Sequence, residues 1–210
     1  MDKFTTILSI ILLFILSSPI SKAHNFDPFI SYQDTVVKKV IEPIDATYYG
    51  EVKIKIANFK GDATPIFGIN IKRKFTDKIQ AGLGFETTMS NFQPSAEEDP
   101  DVFYHLYYGG LALEYLYQPT KLISISTPLF IGTGISKLNT VEGAVVDGRT
   151  KDKVLVITPG IRANMFIAPK MAINIGLNYR LVALVDDSRN LGSGDFSGLE
   201  AALGFKFNIR

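Results

Sequence analysis

The segment MAINIGLNYRLVALV, residues 171–185, carries the pattern on which the fold prediction depends. Its odd positions are all apolar or aromatic, whereas its even positions include Asn174, Asn178 and Arg180. Alternation with a period of two residues is typical of a β-strand with two different faces. Read as a helix, the segment would have no clean apolar side. It is therefore predicted to be a strand with one apolar and one polar face.

The rest of the sequence repeats this pattern. Alternating segments separated by turn-forming residues follow one another from residue 48 onward. No long stretch shows the 3.6-residue period of an amphipathic helix. We predict eight strands, at residues 48–59, 64–75, 78–91, 102–118, 121–138, 154–168, 170–185 and 196–210.

Short and long connections alternate between these strands. The three short connections contain the turn-favouring residues Asp or Pro and read FTDK (75–78), QPTK (118–121) and APK (168–170). The four others are longer and more polar: NFKGDATP (58–65), SNFQPSAEEDPDVF (90–103), SKLNTVEGAVVDGRTKDK (136–153) and DDSRNLGSGDF (186–196). All short turns are therefore predicted at one end of the sheet and all long loops at the other. This separation is typical of barrels with short periplasmic turns and longer extracellular loops.

The N-terminal residues have the features of a secretory signal peptide. Asp2 and Lys3 precede the apolar run ILSIILLFIL (7–16), and the small residues of SSPISKA follow it. The run is shorter than the roughly 20 apolar residues of a membrane-spanning helix. We predict a signal peptide over 1–23 with cleavage after Ala23, an N-terminal periplasmic extension over 24–47, and a barrel over 48–210.

Charge and cysteine content exclude several classes of protein. Removal of Lys3, Lys22 and Asp2 with the signal peptide lowers the 22 basic and 21 acidic residues of the chain to 20 of each. A neutral chain is a poor candidate for binding nucleic acid. The chain has no cysteine, which excludes a disulfide framework and a lipoprotein-type anchor. A barrel closed by backbone hydrogen bonds needs neither.

A closed barrel can have either face outward. In a soluble lipocalin-like barrel the apolar face points inward, and in a membrane barrel it points outward. Glycines crowd the polar face, which suits a narrow lumen. Aromatic residues gather at both strand ends, as paired girdles would. We assign Tyr48, Phe75, Tyr115, Tyr117, Phe205 and Phe207 to the short-turn end, and Phe67, Phe92, Phe103, Tyr104, Tyr107 and Phe196 to the long-loop end.

The charges on the polar face determine which face a membrane barrel could expose to lipid. Ten charged residues share it: Glu51, Lys53, Lys55, Lys72, Glu86, Glu114, Arg162, Arg180, Glu200 and Lys206. A basic residue at the bilayer midplane costs about 2–4 kcal/mol. Ten outward charges would cost on the order of 20 kcal/mol, above a typical net stability of about 5–15 kcal/mol. In a membrane these side chains must therefore point inward.

Charges inside a lumen require partners, because an unpaired buried charge is unfavourable. We predict that Glu86, Glu114 and Glu200 pair across the lumen and largely plug it. Their predicted partners are Lys72, Arg162, Arg180 and Lys206.

These features together resemble the small OmpA/OmpX-type outer-membrane barrels over residues 48–210. FGINIKRKFTDKIQAGLGF (67–85) and GLEAALGFKFNIR (198–210) are similar to the outer membrane protein β-barrel domain of Bacteroidetes-type bacteria. The resemblance implies an all-β, eight-stranded antiparallel transmembrane β-barrel. It also implies contact with outer-membrane lipid and lipopolysaccharide and insertion by the outer-membrane assembly machinery. Barrels of this type usually end in an aromatic residue, whereas this chain ends in Phe207 followed by Asn-Ile-Arg.

The sequence offers little that resembles catalysis. His105 is the one candidate base, and its parity places it on the outward face with Tyr107, as expected for a rim residue. No GxSxG, HExxH or phosphate-binding glycine loop is present. The acidic loop EEDPD (97–101) is predicted to be solvated, with divalent cation or lipopolysaccharide binding as the alternative.

Four functions remain open at this point. The leading one is a non-enzymatic outer-membrane barrel with a structural or surface-interaction role, and with no catalytic residue, cofactor or metal. The alternatives are a narrow porin for small solutes, a lipid A-modifying enzyme that uses His105, and a soluble lipocalin-like carrier.

Overall fold

The computed structural model describes residues 47–59, 62–93, 101–117, 123–140, 151–184 and 194–209. They form eight strands: β1 (Tyr48–Phe59), β2 (Asp62–Lys74), β3 (Ile79–Thr88), β4 (Val102–Tyr117), β5 (Ile123–Thr140), β6 (Lys151–Ala168), β7 (Met171–Leu184) and β8 (Gly198–Asn208). The predicted signal peptide and almost all of the predicted periplasmic extension lie outside the described residues. No helix in the described part of the chain is long and apolar enough to cross a membrane.

The eight strands form a closed antiparallel barrel in sequence order. Each strand pairs with the next, and β8 returns to pair with β1, with Val52 opposite Phe205 and Ile54 opposite Leu203. Closure leaves no strand with an unpaired edge, so every strand has two hydrogen-bonded neighbours. The predicted all-β, eight-stranded antiparallel barrel is confirmed.

The first connection is shorter than predicted. Phe59 pairs with Asp62, so only Lys60 and Gly61 separate β1 from β2. β2 begins at Asp62, two residues before the predicted start at Thr64, and the buried Thr64 and Ile66 follow its alternation. The strict alternation of long and short connections is therefore wrong at this one position. The other three connections at that end are long and span residues 89–101, 141–150 and 185–197.

The two faces of the barrel wall differ in polarity, as the alternation in residues 171–185 predicts. In β7, Ile175 and Leu177 are 64% and 59% exposed, whereas Asn174 and Arg180 are buried. All ten charged residues of the polar face are likewise buried. The apolar face is thus the outer surface, the reverse of a soluble lipocalin-like barrel. The aromatic residues assigned to the short-turn end are all exposed on this surface.

The interior at the long-loop end is apolar, contrary to the prediction of an outer aromatic girdle there. Phe92, Tyr104 and Phe196, assigned to an outer aromatic girdle, are buried inside the barrel instead. Phe92 stacks on Phe59 with ring centroids 3.8 Å apart. Because β3 ends at Thr88, the chain turns inward there, and Phe92 exchanges backbone hydrogen bonds of 3.0 and 2.8 Å with Tyr104. The lumen therefore has charges deeper inside and, at its long-loop end, an aromatic layer that consists of Phe59, Phe92, Tyr104 and Phe196.

Candidate functional site

The ten charged side chains of the polar face form two clusters. The Glu51–Glu114 cluster comprises Glu51, Lys72, Glu114, Arg162 and Lys206. The Glu86–Glu200 cluster comprises Lys53, Lys55, Glu86, Arg180 and Glu200. Each contains three cationic side chains and two carboxylates, contributed by strands that face each other across the lumen. Together they are the candidate functional site, because the chain concentrates its buried charge there.

In the Glu51–Glu114 cluster, Lys72 joins the two carboxylates. Its Nζ lies 3.0 Å from Glu51 Oε2 and also contacts Glu114 Oε2. Arg162 contacts Glu51 Oε1, and Lys206 Nζ lies 3.2 Å from Glu114 Oε2. Neutral side chains also donate hydrogen bonds to the carboxylates. Asn70 and Asn174 donate to Glu51, and Ser126 donates to Glu114. Gln80 accepts a hydrogen bond from Lys206. Carboxylates with this many donors are well suited to remain ionised inside a protein.

In the Glu86–Glu200 cluster, Lys55 joins the two carboxylates. Its Nζ lies 2.6 Å from Glu86 Oε2 and 2.8 Å from Glu200 Oε2. Lys53 pairs with the other oxygen of Glu86 at 2.6 Å. The Tyr108 hydroxyl also donates to Glu86, at 2.7 Å. This network links β1 and β8 to β3 and β4, and neither β1 nor β8 is hydrogen bonded to β3 or β4 in the barrel wall.

Arg180 connects the Glu86–Glu200 cluster to the aromatic layer. Its NH1 lies 2.7 Å from Glu200 Oε1, and its Nε donates to the Phe196 carbonyl at 2.8 Å. The guanidinium carbon lies 3.9 Å from the centroid of the Phe59 ring. Stacking on an aromatic face while donating in plane is a geometry that arginine accepts and lysine does not.

The structure brings all seven predicted network residues into the lumen but pairs some of them differently. Glu114 contacts Lys72 and Lys206, and Glu200 contacts Arg180, as in the predicted set of pairs. The remaining two predicted residues, Glu86 and Arg162, instead pair with residues of β1.

The predicted polar face includes Glu51, Lys53 and Lys55, but the predicted charge network omits them. They occupy alternate positions of β1, with their side chains buried on the lumen side. Their shared face was a usable signal, since three charges on one strand face need partners elsewhere. Which partners they find depends on how the barrel closes.

A small cavity lies beside these clusters among the described residues. A space of about 20 Å³ is lined by Lys53, Lys55, Lys72 and Arg162, among others. That volume accommodates about one or two water molecules. Three further donor atoms of its lining residues, Arg162 Nε, Thr158 Oγ1 and Asn178 Nδ2, have no hydrogen-bond partner. The space therefore suits bound water rather than a passing solute.

His105 lies on the outer side of β4, away from both clusters. Its Nε2 is 3.1 Å from Thr87 Oγ1, and no acidic side chain among the described residues orients the ring. The described residues also contain no group of three His, Asp or Glu side chains arranged to hold a metal ion. Of the acidic loop at 97–101, only the exposed Asp101 belongs to the described residues.

Comparison with solved structures identifies the fold. The chain resembles Neisserial surface protein A with a TM-score of 0.53 at 10% identity, covering 77% of this chain and 96% of that one. The N-terminal β-barrel domain of OprF from Pseudomonas aeruginosa gives 0.46 at 14% identity, over 77% and 96% of the two chains. The attachment invasion locus protein Ail of Yersinia pestis gives 0.45 at 15% identity, over 78% and 97%. The first similarity shows that the chain has the fold of the small eight-stranded outer-membrane barrels.

Sequence comparison adds no family. No protein-family model matches the chain, and no curated protein is significantly similar to it. The similarity is therefore one of fold. The resemblance to the Bacteroidetes-type subgroup rests on the sequence pattern alone.

Proposed function

We propose that the protein is an integral outer-membrane β-barrel with a solute-tight lumen and a structural or surface-interaction role, without enzymatic activity. The observation that carries this proposal is the distribution of polarity across the wall. Every strand places apolar side chains outside, whereas the ten charged side chains of the polar face are inside. This arrangement is stable only where the surrounding solvent is apolar.

The outer surface supports the choice of lipid as that solvent. Thirty large apolar side chains of the described residues are exposed, and each strand contributes to them, from Val52 of β1 to Leu203 of β8. Soluble monomers rarely expose contiguous apolar patches larger than a few hundred Å². An apolar surface around the whole barrel matches the hydrocarbon layer of a bilayer.

The packing of the interior supports a closed lumen. The two charge clusters bridge opposite strands, and the aromatic layer covers them on the long-loop side. A permeating ion would have to separate buried ion pairs, each desolvated and hydrogen bonded. Breaking one buried pair costs about 3–5 kcal/mol. We therefore favour a non-conducting barrel over the narrow porin.

The proposal includes the route to the membrane. The signal peptide at 1–23 would direct export, with cleavage after Ala23, and the assembly machinery would insert the barrel from the periplasm. The short turns would then face the periplasm and the long loops the outside, in contact with lipopolysaccharide.

Membrane fractionation tests this proposal. We expect the full-length protein in the outer-membrane pellet after a carbonate wash, with a heat-modifiable band on a gel. A variant that lacks residues 1–23 is the matched control, and we expect it to stay in the cytosol. Recovery of the full-length protein in the soluble fraction would overturn the proposal.

Planar bilayers separate the closed barrel from the porin. We expect the purified, folded protein to produce no regular conductance steps under salt conditions in which an open porin produces them. Steps of uniform size would favour the narrow porin.

A lipid A-modifying enzyme is the second candidate, favoured by the contact between His105 and Thr87 on the outer face. It predicts that overproduction changes the mass of lipid A and that His105→Ala abolishes the change. Unchanged lipid A on overproduction supports the non-enzymatic role.

A further inference from the structure

Three lysines form a row on the outer face of the barrel at its long-loop end. Lys137 of β5 lies directly opposite Lys151 of β6, and Lys153 follows two residues along β6 on the same face. All three side chains are exposed. On the other side of Lys137, its partner in β4 is His105. We call Lys137, Lys151 and Lys153 the basic row.

Among the described residues, no acidic side chain is paired with the basic row. None of its lysines forms an ion pair with a described residue, and the intervening Asp152 lies opposite the buried Ser136, on the lumen face. Like charges directly opposite each other on a sheet are destabilising. An external anion that contacts two or three of these lysines would remove this repulsion.

The position of the basic row identifies the kind of anion. Along the same strands, the outer face carries Ile131 and Leu111 in the apolar wall, then Tyr107 and Ile135, and then the lysines. This is the order expected from hydrocarbon through the interface to the headgroup region. The basic row thus lies at the depth of lipid headgroups, where the commonest anionic group is phosphate.

The basic row is confined to one side of the barrel. At the long-loop ends of β1, β2, β3, β7 and β8, the described outward side chains carry no charge. A general need for solubility at the rim would distribute charges around the barrel. A local concentration over β5 and β6 instead fits a single bound headgroup.

We propose that the basic row is a binding site for the phosphate groups of a lipopolysaccharide molecule in the outer leaflet. Lysine is a compact point charge that binds phosphate without requiring a fixed orientation. The acyl chains of the bound lipid lie along the apolar wall below, over Ile131 and Ile157. This inference rests on the proposed function, since it requires the long-loop end to face outward from the membrane.

Binding of purified lipopolysaccharide to the folded full-length protein in neutral detergent tests the inference. The probes are phosphorylated lipopolysaccharide and the same material after enzymatic dephosphorylation. The test variant is Lys137→Gln/Lys151→Gln/Lys153→Gln. The matched control is Arg73→Gln/Lys78→Gln/Lys170→Gln, which removes three positive charges from exposed positions at the short-turn end.

We expect the wild type to bind the phosphorylated form at least about tenfold more tightly than the dephosphorylated form, since each lysine near an anionic headgroup contributes. The basic-row variant should lose this preference, while the control should retain it. A charge-conserving variant, Lys137→Arg/Lys151→Arg/Lys153→Arg, should also retain it. Heat-modifiability shows that each variant is folded.

Three results overturn the inference: equal binding of both lipid forms by the wild type, a basic-row variant that binds like the wild type, or equal loss of binding in the basic-row and control variants. Membrane fractionation distinguishes this failure from failure of the proposed function. A carbonate-resistant outer-membrane protein whose basic-row variant binds like the wild type would refute the lipid site alone.

Discussion

Arg180 shows at the scale of one residue how a charge is accommodated in an apolar strand. Its guanidinium is fully buried, pairs with Glu200, donates to the Phe196 carbonyl and stacks on Phe59. Glu200 thus pairs with its charge, and the Phe59 ring covers its flat surface. Arg180 therefore couples the charged and aromatic parts of the lumen.

Replacing Arg180 by methionine should destabilise the barrel strongly. The change leaves Glu200 with Lys55 as its remaining cationic contact, and breaking a buried pair costs about 3–5 kcal/mol. Urea unfolding in detergent micelles measures the loss. Adding Glu200→Gln should recover part of the lost stability, because it removes the buried carboxylate that the first change leaves with Lys55 as its remaining cationic contact. An unfolding free energy within about 0.5 kcal/mol of the wild type for the single variant would contradict this role of Arg180.

At the scale of the strands, close approach decides which positions must be glycine. On β4, a Cβ at Gly110 would lie 2.2 Å from the Ile131 carbonyl oxygen of the neighbouring strand. The adjacent Gly109 has no atom closer than 3.5 Å to such a Cβ. Gly110 is therefore required by the β4–β5 pairing, whereas Gly109 is not.

Gly110→Val and Gly109→Val should differ sharply. Because the obstacle at residue 110 is backbone, the strands must shift, and overpacking of this kind costs about 1–3 kcal/mol or more. The valine at 109 should be tolerated. Urea midpoints and heat-modifiability of the two variants measure the difference, and equal behaviour would show that the β4–β5 spacing adapts freely.

At the scale of the whole molecule, the closed wall separates two environments. The outer surface is apolar around the full circumference, and the lumen holds paired charges and an aromatic layer. Closure makes the pairs possible, since Lys55 of β1 reaches both Glu86 of β3 and Glu200 of β8. Within the described part of the lumen, a cavity of about 20 Å³ lies beside the clusters.

The cost of a charge on the wall should depend on its depth. Ile175 is 64% exposed within the apolar wall, and Met89 is 57% exposed just beyond the end of β3. Ile175→Arg should destabilise the protein in bilayers by about 2–4 kcal/mol, whereas Met89→Arg should cost about 0–1 kcal/mol. Unfolding from lipid vesicles measures both. Equal, small effects would indicate that water surrounds the whole barrel.

The sequence alone determined the strands, their number and the face each presents. Alternation with a period of two is local, so Asn174, Asn178 and Arg180 could be assigned to the polar face without knowing their neighbours. The free-energy cost of exposing ten charged side chains to lipid then indicated which face had to be enclosed. It also brought Lys72, Glu86, Glu114, Arg162, Arg180, Glu200 and Lys206 into one candidate site.

Only the tertiary structure decided which charges meet and what covers them. Glu86 pairs with Lys53 and Lys55, and Arg162 pairs with Glu51, because partners across a lumen are set by strand stagger and closure, which no local pattern encodes. Phe92 and Phe196 lie inside the barrel because the chain turns inward after β3 and before β8. Period and parity end where the strands end, so the side of the wall on which these rings lie depends on the path of the chain between strands.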